Sequence, residues 1–188
     1  MKTHILKRSV VTLFSLLAYF TVNSQEFSCS TNLADLAFLG GINTSFSYAF
    51  SRHWSADAGV VYRPFTFRQG QSNQFQVKTR SVSVGARYCL RHCYSGFYVN
   101  SRIKIQEYNE GGIVSPVTNE GERYGLGIGV GYAYMLSSHI NIEAGWGLWS
   151  GLATYKKYSC PRCGDVLEQG KKVFLLPDTL NIAISYIF

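Results

Sequence analysis

Two pairs of cysteines are the residues of this chain best suited to covalent chemistry. Cys160 and Cys163 stand in the motif CPRCG, and Cys89 and Cys93 flank the tripeptide LRH. A C-x-x-C pair can be a disulfide, a redox motif or half of a zinc site. Zinc needs four ligands and no second pair lies nearby in sequence, while export to an oxidising compartment favours disulfides. Cys160 and Cys163 are therefore candidates for a loop disulfide or a metal site, Cys89 and Cys93 for a turn disulfide, and Cys29 is left over.

Six charged residues form a second candidate site. They share positions that alternate with apolar residues: Asp57, Arg63, Arg87, Arg102, Lys104 and Glu143. Alternate residues of a strand lie on one face, so these side chains would point into one interior. Unpaired charges there are costly, so we expect Asp57 and Glu143 to pair with Arg87, Arg102 and Lys104. The expected role is to fill and order the interior. The alternative is a gated ion path, which the narrow interior of a small barrel disfavours.

The histidines argue against catalysis. His53, His92 and His139 all fall in short predicted turns, at one end of the predicted fold. A membrane enzyme acting on lipid would need a serine or carboxylate beside a histidine at the opposite end, where no histidine is predicted. We therefore predict no catalytic residue and no cofactor.

Alternation of large apolar residues with small ones indicates the elements that carry these side chains. In the segment YGLGIGVGYAYML, every second residue from Tyr124 to Leu136 is large and apolar, and glycine or alanine fills most of the gaps. A soluble β-sandwich would show water a polar face, which this segment lacks. A transmembrane β-barrel has the opposite arrangement, with large apolar residues toward lipid and small or polar residues inside.

Other segments repeat this pattern. They are 42–50, 54–63, 81–90, 97–105, 140–148 and 180–188, with a weaker one at 28–36. No segment after residue 25 has a helical period. Short turns alternate with long links: the turns are 51–53, 91–94 and 137–139, and the links are about 66–78, 107–122 and 157–177. The predicted fold class is all-β, a small antiparallel transmembrane β-barrel of about eight strands with short periplasmic turns and longer outer loops.

The last segment ends on an aromatic residue. Its apolar row is Leu180, Ile182, Ile184, Tyr186 and Phe188. This row resembles the C-terminal signal that the outer-membrane barrel assembly machinery reads. We expect it to be the lipid-facing row of the closing strand.

The start of the chain predicts export. A basic stretch with Lys2, Lys7 and Arg8 precedes the apolar run 10–22, and small residues follow at 22–24. This is the pattern of a secretory signal peptide over residues 1–24, which leaves 25–188 as the barrel domain and the outer membrane as its location. The chain has 18 basic and 11 acidic residues, so removing the three basic residues of the signal leaves 15 − 11 = +4. That charge is too small to indicate a nucleic-acid partner.

Charged residues also cluster in the predicted outer loops. One basic group is Arg68, Lys78 and Arg80; a second is Lys156, Lys157, Arg162, Lys171 and Lys172; an acidic group, Glu107, Glu110, Glu120 and Glu122, lies between them in sequence. These groups predict either contacts with lipopolysaccharide phosphates or a surface for a partner protein.

Several stretches resemble one bacterial outer-membrane family, the domain-of-unknown-function family thirty-five seventy-five. They are STNLADLAF, SRHWSADAGVVYRPFTF, RYCLRHCYSGFYV, YNEGGI, ERYGLGIGVGYAYML, HINIEAGWGLW and, most specifically, YKKYSCPRCG. The short loop after YNEGGI departs from the family pattern. The resemblance implies an outer-membrane β-barrel associated with surface fimbria or adhesin systems, and it brings no catalytic residues.

The predicted function is therefore a non-enzymatic outer-membrane barrel with a structural, anchoring or surface-assembly role. Its expected partners are outer-membrane lipid, lipopolysaccharide, the barrel assembly machinery and fimbria or adhesin components. The alternatives are a lipid-modifying outer-membrane enzyme and a soluble periplasmic barrel that binds an apolar ligand.

Overall fold

Strands make up almost the whole of the described chain. The computed structural model describes residues 26–68, 74–112, 117–160, 165–178 and 180–188. The elements are β1 (Phe27–Asn32), α1 (Leu33–Leu39), β2 (Ile42–Ala49), β3 (Trp54–Phe67), β4 (Phe75–Cys89), β5 (Gly96–Gly111), β6 (Thr118–Met135), β7 (Ile140–Tyr158), β8 (Val166–Pro177) and β9 (Asn181–Ile187). No helix in these residues is long and apolar enough to cross a membrane.

The strands close into an antiparallel barrel. Each of β1 to β6 pairs with the next strand in sequence, and β9 pairs with both β7 and β1 to complete a ring of eight. The extra strand, β8, pairs with the upper part of β7, and β9 pairs with its lower part. Because β8 and β9 run in the same direction, they occupy one position beside β7. The predicted all-β barrel of about eight strands is confirmed.

The predicted link 157–177 was wrong, because it contains β8. The weak segment 28–36 does supply the eighth strand of the ring, β1, but that strand ends at Asn32 and α1 follows it. The helix begins where the Asn32 side chain accepts a hydrogen bond from the Ala34 N–H at 3.0 Å, and it ends at Gly40, whose φ of 57° few other residues adopt. This helix of seven residues is too short to show a helical repeat of apolar residues in the sequence.

The two faces of the barrel differ as predicted. On β6, the outward side chains of Leu126, Ile128 and Val130 are 63, 67 and 60% exposed. The inward positions between them are glycines. Many of the buried residues elsewhere are polar, such as Ser55 and Asn141. The ladder therefore places polar or small residues inside and apolar residues outside.

The ends of the barrel also differ. The turn end holds the connections 50–53, 90–95 and 136–139, and the loop end holds 33–41, 68–74, 112–117 and 159–165, of which 69–73, 113–116 and 161–164 lie outside the described residues. Strands β3 to β7 extend further toward the loop end than predicted. Side chains continue to alternate between the two faces beyond the apolar segments, but the outward ones are polar there, such as Arg80 opposite Glu107. A search for alternating apolar residues therefore misses these parts of the strands.

Candidate functional site in the barrel interior

A buried ion pair crosses the barrel near the turn end. Arg87 on β4 donates from Nη1 to Glu143 Oε2 on β7 at 3.0 Å, and both side chains are almost fully buried. Ser185 on β9 donates its hydroxyl to the other carboxylate oxygen of Glu143 at 2.9 Å. The pair therefore joins three strands of the ring, and this part of the predicted network is present.

Two further groups complete the surroundings of Arg87. Its guanidinium lies 4.2 Å from the ring centroid of Tyr98, a cation–π distance. Asp57, which the sequence placed in the same network, is buried but its Oδ1 has no hydrogen-bond partner. The predicted pairing of Asp57 with the interior cations was therefore wrong: no salt bridge of the described residues includes it, and Arg87 pairs with Glu143 alone.

The predicted partners of Arg102 and Lys104 were wrong. Lys104 donates to Asp178 at 2.9 Å, and Arg102 lies 4.0 Å from the same carboxylate. Lys104 also lies 4.7 Å from the ring centroid of Trp149. Asp178 lies shortly before the closing strand and is the only acidic residue after Glu168. This isolated position was the one feature of the sequence that could have indicated its role as the partner of Lys104.

Arg63 also pairs outside the predicted network. It forms a salt bridge with Asp35 of α1, where both side chains are largely buried. Arg63 additionally fills the space over Gly41, where a Cβ would overlap its side chain. This contact fixes the helix against the inner wall of β3.

The connection between β4 and β5 closes the turn end of the barrel. Tyr94 is 3% exposed, although it lies in a turn, and it adopts a φ of 68° that is strained for a tyrosine. Its hydroxyl shares its one proton between the carbonyls of Glu26 and Ser47, at 2.9 and 3.2 Å, and its own carbonyl accepts from the Asn141 side chain at 2.5 Å. The Tyr94 turn therefore ties β1, β2 and β7 together across the barrel mouth.

The loop end is open. A cavity of about 1250 Å³ occupies this part of the barrel and is lined by residues from β3 to β8. On the inner wall, Arg123 stacks 3.6 Å from the ring centroid of Tyr108 and pairs with Glu110 at 3.2 Å. The barrel is thus a cup, filled by charged pairs toward the turn end and hollow toward the loop end.

The cysteines adopt two different states. Cys160 is in a disulfide, and Cys163 lies outside the described residues, so their pairing remains a prediction. Cys89 and Cys93 are free thiols, and Cys93 Sγ donates to the Ser51 carbonyl at 3.3 Å, so the predicted turn disulfide is not formed in this structure. Cys29 is also free. The described residues contain no cluster of three or more side chains able to hold a metal ion.

The loop disulfide can be tested by thiol labelling. Because Cys160 is oxidised in the structure, we expect a membrane-impermeant maleimide to label neither Cys160 nor Cys163 on intact cells until a reductant is added. A variant with Cys160 and Cys163 both replaced by serine gives the background from the other cysteines. Labelling of Cys160 without reductant would contradict the prediction.

The histidines make contacts with the backbone at the turn end. The His53 ring bonds to the Cys89 carbonyl at 2.9 Å, and the His139 ring bonds to the Ile187 carbonyl at 3.0 Å. In both cases the strand residue returns its N–H to the histidine carbonyl at 2.8 Å. These two histidines therefore fasten the ends of β4 and β9, and neither imidazole ring bonds to a serine or carboxylate side chain in a hydrogen bond that the structure describes.

The C-terminal row faces outward as predicted. Its side chains are between 39 and 48% exposed: Leu180, Ile182, Ile184, Tyr186 and Phe188. The Tyr186 ring packs against His139 and Phe188 at centroid distances of 5.9 and 5.1 Å. Its use as an assembly signal stays a prediction.

The charged groups of the loop end lie on strands, and basic and acidic residues face each other across neighbouring strands, as Arg80 and Glu107 do and Glu120 and Lys156 do. Lys78 and Arg80 are on β4, the outward carboxylates Glu107, Glu120 and Glu122 are on β5 and β6, and Lys156, Lys157, Lys171 and Lys172 are on β7 and β8. Lys157 holds the pKa of Glu168 below its usual range, and a hydrogen bond from Tyr155 acts in the same direction. Arg162 lies outside the described residues.

Comparison with known families decides the classification. Residues 10–188 match the model of the family described as "Protein of unknown function (DUF3575)". The chain belongs to this family. The match covers nearly the whole sequence, including every described strand, so the family domain and the barrel coincide. Searches of curated proteins and of solved structures found no significant match.

Proposed function

We propose that the chain is a non-enzymatic β-barrel of the outer membrane that anchors, or assists the assembly of, a structure at the cell surface. The observation that carries this proposal is the apolar outer face of the ring. Ile42 on β2, Ile128 on β6 and Leu175 on β8 are 68, 67 and 67% exposed. Soluble monomers rarely expose so large a continuous apolar surface, and lipid would cover it.

The predicted signal peptide supports this setting. Export would place the short turns on the periplasmic side and the open cup on the outer side. The C-terminal row from Leu180 to Phe188 would be read by the barrel assembly machinery. The basic strands of the loop end would then lie at the level of lipopolysaccharide phosphates.

The interior favours a structural role over transport or catalysis. The Arg87–Glu143 pair and the Tyr94 turn fill the barrel between the cup and the turn end. His53 and His139 are held at that end by backbone carbonyls, far along the strands from the open cup. The association with fimbria or adhesin systems rests on the family resemblance, and the open loop end is where such a partner would dock.

The membrane setting is tested by electrophoresis of isolated outer membranes. We expect the unboiled chain to resist SDS and to migrate differently from the boiled chain, because a closed hydrogen-bonded barrel unfolds in SDS only on heating. Flotation of the refolded chain with phosphatidylcholine vesicles is the second readout. A chain found in the soluble periplasm, with no heat-dependent shift and no flotation, would contradict the proposal and favour a soluble barrel that binds an apolar ligand.

A further inference from the structure

We propose that the free edge of β8 binds an extended, acidic segment of a partner polypeptide, which adds a strand to the barrel wall. This inference rests on the proposed anchoring function and specifies the chemistry of the partner that the anchor would hold.

The edge is open over the length of the strand. β8 pairs along one side with Leu148–Tyr158 of β7, and its other side pairs with no strand in the described residues. The N–H of Asp178 bonds to the Gly147 carbonyl at 2.8 Å, which sets the phase of this ladder. Because N–H and C=O groups alternate in direction along an antiparallel strand, every second residue of β8 turns them to the open side. These residues are Gln169, Lys171, Val173 and Leu175. Such a row is a template for an added strand.

The edge is open because its neighbours in the ring are short. β1 ends at Asn32 and β2 begins at Ile42, where the chain passes through α1. The Asn32 side chain bonds to Leu180 and Ile182, so the wall is closed just below β8. Above that point none of the described strands pairs with β8 on this side, and the cavity of the cup reaches Gln169–Lys171 on the edge itself.

A membrane makes an open edge unfavourable. The outward side chains of Val173 and Leu175 are 75 and 67% exposed and belong to the apolar face. Backbone groups that face hydrocarbon without a partner cost several kcal/mol each, and open sheet edges are not left in contact with lipid. An added strand would satisfy these groups.

The charge around the edge selects the partner. Lys171 and Lys172 lie at the middle of β8, one on each face, and their cross-strand neighbours on β7 are Thr154 and Ala153. Neither lysine therefore has an acidic neighbour across the ladder. The acidic residues nearest in sequence are Asp165 and Glu168, and Glu168 is paired with Lys157. A matching segment would place two adjacent acidic residues opposite Lys171 and Lys172, with apolar residues beside Val173 and Leu175.

The probe is a capped, fluorescent nine-residue peptide with two central glutamates between alternating threonine and valine. Its binding to the barrel refolded in a non-ionic detergent is measured by anisotropy. We expect saturable binding. Two control peptides should bind roughly tenfold more weakly or not at all. One has lysines in place of the glutamates, and the other keeps the glutamates but is N-methylated at every second backbone nitrogen.

Variants of β8 separate the backbone from the charges. Val173→Pro removes an N–H from the open edge and none from the β7 ladder, so it should fold yet weaken binding by about tenfold. Val173→Ala keeps that N–H and should bind within about twofold of the parent chain. Lys171→Gln with Lys172→Gln should weaken binding about threefold to tenfold, and Arg91→Gln at the turn end should have no effect.

Each other outcome contradicts the proposal. Absence of saturable binding would show that the lysines only guard the edge against aggregation. Equal binding by the N-methylated peptide or by Val173→Pro would indicate attraction by charge alone. The edge would be assigned to a second copy of the chain if the detergent-solubilised chain forms a stable dimer that Val173→Pro abolishes and that the peptide does not disrupt. Vesicle flotation, measured on the same samples, reports the proposed membrane setting independently.

Discussion

Replacing Arg87 by alanine should lower the free energy of unfolding by about 3–5 kcal/mol. The variant leaves the Glu143 carboxylate buried in the barrel without its cation, and of its described hydrogen-bond partners the Ser185 hydroxyl alone remains. The loss also removes the guanidinium that stacks on Tyr98. The measurement is guanidinium unfolding of the refolded barrel, followed by tryptophan fluorescence.

Two controls make this result specific. Arg102→Ala removes a more exposed arginine whose contact with Asp178 is 4.0 Å long, and Lys104 stays paired with that carboxylate, so the expected loss is below about 1 kcal/mol. The double variant Arg87→Leu with Glu143→Leu removes both buried charges and should recover much of the lost stability. Denaturant resistance that is unchanged in Arg87→Ala would mean that the pair does not order the interior.

The second large effect is expected at Gly151. Gly125 and Gly151 are directly opposite each other on β6 and β7, and both face the interior. A Cβ on Gly151 would overlap the Tyr124 carbonyl, and a Cβ on Gly125 would overlap the Ser150 carbonyl. Since backbone atoms on both strands would have to shift, Gly151→Ala should cost more than about 3 kcal/mol and prevent most of the chain from closing.

The measurement is the fraction of refolded chain that reaches the heat-sensitive compact form on unboiled SDS gels. Gly170→Ala is the matched control, because it also adds an inward Cβ, but the nearest atoms belong to the Tyr155 side chain, with the hydroxyl at 3.1 Å and the ring at 3.3 Å. The ring can turn away, so we expect a loss below about 1.5 kcal/mol. If Gly151→Ala refolds as well as Gly170→Ala, close approach of β6 and β7 is not required for closure.

The outward face and the barrel class followed from local sequence. Side chains alternate with period two along any strand, so the row from Tyr124 to Leu136 had to lie on one face, and the glycines between them on the other. A segment with no polar face could only be stable with its large residues toward lipid or another apolar surface. The short turns at 51–53, 91–94 and 137–139 then fixed which ends of the strands meet.

The partners of the interior charges did not follow. Arg87 and Glu143 lie on strands that are not neighbours, and they meet only because the ring closes. Alternation told which face each charge occupies, but not its height in the barrel, because height depends on the stagger between strands. Arg102 and Lys104 therefore reached Asp178, which stands in the break between β8 and β9 and belongs to no alternating segment.

The sequence by itself determined the strand type, the apolar outer face, the polar interior and the positions of the short turns, since all of these are local consequences of residue spacing. The tertiary structure alone decided that Arg63 holds α1 through Asp35, that Tyr94 closes the turn end, and that one edge of β8 pairs with none of the described strands. These features arise where strands of unequal length meet around a closed ring. Such meetings depend on register between residues far apart in the chain, which no local pattern records.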